Sequence, residues 1–213
     1  MESPYAVRSR PINDARGAGS RPVRNMEYEI RVARGADVAA ISNLIDSSAR
    51  GLSRDDYTDE QIETAVSSIF GVDSELISDG TYFVAEARGE LIGCGGWSRR
   101  RTLFGGDQAA SRETGTLDPA RDAAKIRAFF VHPKWARRGV GSVILKRCEK
   151  EAQAAGFCAL ELMSTLPGLS FYRAMGYEAV EPLFYSAGAV ELKFIRMQKQ
   201  LAGGRVVSGK VIQ

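Results

Sequence analysis

Residues 129–149 read FFVHPKWARRGVGSVILKRCE, and this stretch decides how the chain folds. Phe129, Phe130 and Val131 close a strongly apolar run that begins at Ile126 and suits a central strand. Pro133 stops that strand, because proline has no N–H to give to a ladder. A basic, glycine-containing loop follows, and a helix opens directly from it. Val140, Ile144, Cys148 and Ala152 recur at i, i+4 spacing along its buried face, and Gly156 closes it. Arg137, Arg138, Gly139, Val140, Gly141 and Ser142 therefore stand at a helix N-terminus. Backbone N–H groups of a first turn have no partner within the helix, and the helix dipole adds partial positive charge there. Gly139 and Gly141 let the backbone approach an anion closely, and the two arginines supply forked donors suited to phosphate. The spacing describes a phosphate site. It also describes a tight strand-to-helix turn with solvated arginines.

Outward from this segment the pattern is mixed. Tyr28, Ile30 and Val32 alternate with charged residues, as on a half-buried strand. Asp37 is positioned to cap a helix with Val38, Ile41, Leu44 and Ile45 on one face, ended by Gly51. Thr58 and Gln61 form a capping-box pattern for a second helix. Residues 82–87 and 91–97, joined by Arg88-Gly89-Glu90, read as a hairpin. Residues 98–121 form a long polar stretch, and loops of that length inside a domain tend to be functional. Residues 159–163 read as a strand, 169–175 as a short helix ended by Gly176, and 182–185 and 190–197 as two final strands. The order β-α-α-β-β-β-α-β-α-β-β predicts one mixed α/β sheet with helices on both faces.

Composition narrows the function. The chain has 213 residues, enough for one domain with tails, and a net charge of +3. That excess sits at the ends. Residues 1–25 hold five Arg against two acids, whereas residues 26–201 hold 22 basic and 24 acidic residues. A nucleic-acid binder carries its positive charge on the fold, so no nucleic-acid partner is expected. Residues 1–25 and 202–213 read as a disordered basic extension and a flexible tail, with the domain at 26–201 and Met26 as a candidate first residue. Three scattered cysteines argue for a reducing, cytoplasmic setting, and one histidine for no metal site. No run of 18 apolar residues exists, so no membrane span is expected. G-x-G-x-x-G fails because Ile144 holds the third glycine position, and G-x-x-x-x-G-K-[ST] is absent.

Two motifs resemble the GNAT superfamily of acetyl-CoA-dependent N-acetyltransferases. Val131-His132-Pro133, followed by Ala136-Arg137-Arg138-Gly139-Val140-Gly141, is similar to that family's V-x-P and [RQ]-x-x-G-x-[GA], with Ala136 departing from the first position. Phe171-Tyr172-Arg173-Ala174-Met175-Gly176-Tyr177 is similar to its F-Y-x-x-x-G-[FY] segment. The resemblance covers residues 28–201. It implies a mostly antiparallel sheet of about seven strands flanked by about four helices in a single domain. It implies acetyl-CoA as cosubstrate, with its pyrophosphate on the amides of residues 137–142 and its pantetheine arm along Phe130 and Val131. Tyr172 would be the general acid for the leaving thiolate; as a bare residue it reads equally as an aromatic core side chain. Many relatives carry a glutamate early in the fourth strand, where this chain has Lys125, so Glu86 is taken as candidate base, with Asp122, Asp55, Asp56 or water as alternatives.

The acceptor pocket is expected from the loop between the first two helices (Arg50–Tyr57), the hairpin end at Trp97, and the long loop after it, which includes Arg99. The run Arg99-Arg100-Arg101 fits an anionic acceptor, a CoA phosphate or a solvated loop. The expected activity is transfer of acetyl directly to a primary amine, a small molecule rather than a protein. The alternative is a non-catalytic acyl-CoA-binding or interaction module on the same fold. A monomer or homodimer is expected.

Overall fold

The computed structural model describes residues 28–109 and 112–201; the readings of residues 1–25 and 202–213 lie outside the described residues. Strand alternation organises the layers. In β2 (Tyr82–Ala87), Tyr82 and Val84 join the cluster beneath α1 (Val38–Leu52) and α3 (Ser74–Ser78), while Phe83 and Ala85 join the cluster beneath α4 (Val140–Ala154) and α5 (Leu169–Ala174). Because successive side chains point to opposite faces, one strand serves both layers. A third cluster packs α2 (Asp59–Ser68) on β7 (Val190–Gln200), through Ile62, Ala65, Leu192 and Phe194.

The remaining strands are β1 (Glu29–Val32), β3 (Glu90–Ser98), β4 (Ala124–Val131), β5 (Ala159–Ser164) and β6 (Glu178–Ala187). All seven lie in one sheet, ordered β1-β2-β3-β4-β5-β7-β6. Every pairing is antiparallel except β4 with β5. The mixed, mostly antiparallel sheet with helices on both faces is the expected one.

Several local expectations are corrected. The described residues hold five α-helices; α3 escapes the sequence pattern because five residues are too few to show a period. Asp37 does not cap α1. Its carboxylate accepts from Arg31 at 2.7 and 2.9 Å and from the Arg34 N–H, so it ties β1 to the turn that follows it. Gly51 lies inside α1 rather than ending it. A Cβ there would stand 2.4 Å from Pro133 Cγ, so glycine lets the helix pass the loop that leaves β4. β6 is longer than predicted because it is an exposed edge strand, where Pro182 is tolerated and alternation is weak.

Polar pairs inside the sheet are held tightly. Lys125 on β4 donates to Glu161 on β5, and Arg196 on β7 donates to the other carboxylate oxygen at 2.7 Å. Burial opposes ionisation of Glu161, but Lys125, Gln198 and Arg196 outweigh it and hold the carboxyl below its ordinary value of 4.5. A depressed folded-state value stabilises the fold above the unfolded value and loses that contribution as pH falls through the folded one. Urea midpoints of the wild type should therefore drop below pH 4.5 more steeply than those of Glu161→Gln; equal slopes would remove Glu161 from the acid response.

Candidate active site

The parallel pair is short. β4 meets β5 only at Ala124–Leu160, Lys125–Glu161 and Ile126–Leu162. Beyond Ile126 the two strands part, and a cavity of about 760 Å³ opens between them. β4 also carries a bulge here: one β3 residue, Gly95, stands opposite Ala128 and Phe129. A Cβ on Gly95 would lie 2.2 Å from the Phe129 ring, so only glycine leaves that ring its place. Ala128 adopts φ +50°, a left-handed conformation that is costly for alanine. Its carbonyl accepts from the Tyr82 hydroxyl at 3.1 Å, which pins the bulge from beneath. Burial pushes the neighbouring Cys94 thiol up to about 12, so it stays protonated and inert.

At one end of the cavity lies the start of α4. Arg137 and Gly139 both have positive φ, +61° and +85°, and together they turn the chain into the helix. No side chain caps α4, and its first intrahelical bond runs from the Val143 N–H to the Gly139 carbonyl. The amides of Val140, Gly141 and Ser142 are thus left for a ligand. Above Gly139 nothing lies within 4 Å of where a Cβ would be. A 15-residue helix with no side-chain cap and open space above Gly139 fits a phosphate group.

Of the residues expected to bind the cosubstrate, Phe130, Val131, Arg137, Gly139, Gly141 and Ser142 line the cavity. Arg138 and Val140 do not. Arg138 stacks over Trp135 at 5.7 Å, and the Val140 side chain is 1% exposed in the core. Phe130 and Val131 lie past the last β5 partner, on the side where β4 has backbone left to pair.

Tyr172 lines the same cavity. Its ring is packed by Phe129, Phe171 and Tyr177, with centroids at 6.2, 5.0 and 5.7 Å. Burial raises its hydroxyl above the ordinary 10.0, so it holds its proton throughout the neutral range.

The other sequence-expected residues fall elsewhere. Glu86 sits on β2 and accepts from Arg31 at 2.7 Å, away from the cavity lining. Asp122 caps its own turn by accepting from the Asp118 N–H. Trp97 is 3% exposed and packs on Phe157 in the core under α4, with Arg99 lying over it at 6.0 Å. Tyr57 bridges the fold, donating to the Lys193 carbonyl at 2.6 Å and accepting from the Leu166 N–H at 3.1 Å. Arg100 is committed to Asp79. None of Tyr57, Trp97 and residues 99–101 lines the cavity, because β3 places Trp97 on its core face and the arginines follow beyond the strand end.

The sequence reading missed Phe70, Arg127, Met163 and Phe194, whereas Asp55, Asp56 and, on the long loop, Phe104 line the cavity where an acceptor wall was expected. The long loop reaches the cavity because Gly106 and Asp107 donate backbone bonds to Ile69 and Val72. Arg127, 3% exposed, donates to the Gly105 carbonyl and pairs with Asp73 at 2.5 Å. An arginine in the apolar run IRAFFV was the one signal in the sequence for this anchor. Burial pushes the Asp73 carboxyl up, while Arg127 and Arg112 oppose that push. Removing one charge of a buried pair leaves the other uncompensated, so Asp73→Asn should cost about 3 kcal/mol in urea unfolding. A loss below about 1 kcal/mol would mean the pair does not anchor the loop.

The sequence model of the acetyltransferase (GNAT) family matches residues 40–177, and the chain belongs to that family. Among solved structures, a GCN5-related N-acetyltransferase from Rhodopseudomonas palustris is 22% identical with a TM-score of 0.61, covering 81% of this chain and 95% of its own. PaiA N-acetyltransferase from Thermoplasma acidophilum, solved with coenzyme A, is 17% identical with a TM-score of 0.57, covering 83% and 100%. YncA of Salmonella typhimurium, a putative acetyltransferase solved with acetyl-CoA, is 19% identical with a TM-score of 0.53, covering 84% and 98%. These likenesses show the fold. Comparison with curated proteins returns no significant match.

Proposed function

We propose that the protein transfers an acetyl group from acetyl-CoA directly to a primary amine, with both substrates bound at once. The observation that carries this reading is one continuous cavity. It joins the uncapped start of α4 to the unpaired edge of β4 and to Tyr172. Family membership and two coenzyme-bound structural neighbours support the choice of cosubstrate.

Acetyl-CoA supplies the activated acyl group as a thioester. The amides of residues 140–142 and the Arg137 guanidinium hold its phosphates by charge-assisted hydrogen bonds. The backbone of Phe130 and Val131 receives the amide-bearing arm as a further strand would be received. This seats the reactive end between the parted strands. Tyr172 then gives its proton to the departing sulfur, a role suited to a phenol that burial keeps protonated. The ammonium loses one proton to water at the exposed end near Asp55 and Asp56. The free amine attacks the thioester carbonyl, the C–N bond forming as the C–S bond breaks, and the second nitrogen proton passes through water to restore Tyr172. Glu86 takes no part, being held by Arg31 outside the cavity.

Millimolar acetyl-CoA should raise the melting temperature; no shift would overturn the reading. Tyr172→Phe should lower kcat roughly 10²-fold while leaving the KM for acetyl-CoA within about twofold, since the lost proton matters only as the sulfur leaves. Unchanged turnover would remove Tyr172 from the chemistry.

A further inference from the structure

We infer that the amine acceptor is cationic, carried on an aromatic or other bulky apolar body, and free of any carboxylate or phosphate. This rests on the acetyl-transfer reading above and names the substrate class it leaves open.

The first observation is an aromatic wall. Phe70 follows α2, Phe104 belongs to the long loop, Phe130 to β4 and Phe194 to β7, and all four line the cavity. Their rings interlock, with centroids at 5.5 Å for Phe70–Phe130, 6.3 Å for Phe70–Phe194 and 6.0 Å for Phe104–Phe194. Phe70, Phe104 and Phe130 are only half-buried, so ring surface is left for a ligand. Four elements distant in sequence converge there, and a polar acceptor has little to bond to on such a wall. An apolar body would gain the surface it removes from water.

The second observation is the sign of the charge. Among the described lining residues the basic ones are Arg127 and Arg137, and the acidic ones are Asp55 and Asp56. Arg137 belongs to the turn that opens α4. Arg127 is already balanced: Nη2 pairs with Asp73, Nη1 lies 3.9 Å from Glu75, and Nε and Nη1 are covered from solvent. Arg99, Arg100 and Arg101, the sequence's argument for an anionic acceptor, are outside the lining. Asp55 and Asp56 directly precede Tyr57, which packs in one cluster with Phe70, Phe104 and Phe194, and both carboxylates are exposed. Asp55 and Asp56 attract an ammonium group, and the ring faces favour it further. A carboxylate carried in with the amine would meet two like charges and an apolar wall.

Release of CoA, read with a thiol reagent, tests this on four amines: 2-phenylethylamine, tryptamine, phenylalanine and spermidine. The first two should exceed phenylalanine in kcat/KM by roughly tenfold or more, since phenylalanine differs from 2-phenylethylamine by one carboxylate. They should also exceed spermidine, which has charge without an apolar body. The double substitution Asp55→Asn with Asp56→Asn should raise the KM for 2-phenylethylamine about three- to tenfold and leave the KM for acetyl-CoA unchanged. A preference for phenylalanine or spermidine, turnover of none of the four, or an unchanged amine KM in the double variant would overturn the inference. The acetyl-CoA melting shift, run on the same sample, separates the two levels. With the shift present, these failures sink the acceptor class alone. With it absent, the transferase reading falls too.

Discussion

Between Cys94 and Gly96 one residue of β3 faces two of β4, and this miscount governs what the rest of the molecule can do. The extra residue bends β4 away from β5, so their ladder stops after Ile126. From that point β4 has backbone groups with no strand to take them, and a space wide enough for a ligand. Three features sustain the distortion. Gly95 has no side chain to meet the Phe129 ring, Ala128 accepts a left-handed conformation, and Tyr82 donates to the Ala128 carbonyl from the buried side. A regular β4 would zip against β5 and leave no cavity.

The same parting of strands places two unlike chemistries on one cavity. At one end the start of α4 offers amides and partial positive charge. Elsewhere phenylalanines from four elements offer apolar surface, bordered by Asp55 and Asp56. Tyr172 lies in the same lining, its proton secured by burial. In the proposed reaction a polyanion and an amine take separate parts of this cavity, and a sheet opened along one seam supplies that separation.

Anchoring of the long loop depends on one fully buried ion pair and the more exposed charges around it. Arg127 points from an apolar strand to Asp73 at the start of α3 and to the carbonyl of Gly105. Arg112, from the far side of the loop, binds Asp73, Glu75 and Asp107. A stretch that is polar in composition thereby becomes a fixed wall, carrying Phe104 onto the cavity. Of the three arginines that suggest an anionic partner when read in order, Arg100 is spent on Asp79 and Arg99 lies over Trp97.

Local information was enough for much of this. The strand ending at Pro133, the glycine-bearing turn and the periodic face of α4 are written within 21 residues, and dipole and amide chemistry act over the same short range. Tyr172 was legible only because its neighbours repeat a family pattern; by itself it is one more aromatic residue. Trp97, Tyr57, Glu86 and Arg99 were misplaced for a shared reason. Which face of a strand or which end of a loop meets the cavity depends on register between segments, and composition carries no register. Sequence by itself determined that this is an α/β chain whose strongly apolar strand runs through a glycine-bearing turn into a helix. Tertiary structure alone decided where the sheet opens and which aromatic and acidic side chains gather there, because those contacts join residues as far apart as Phe70 and Phe194.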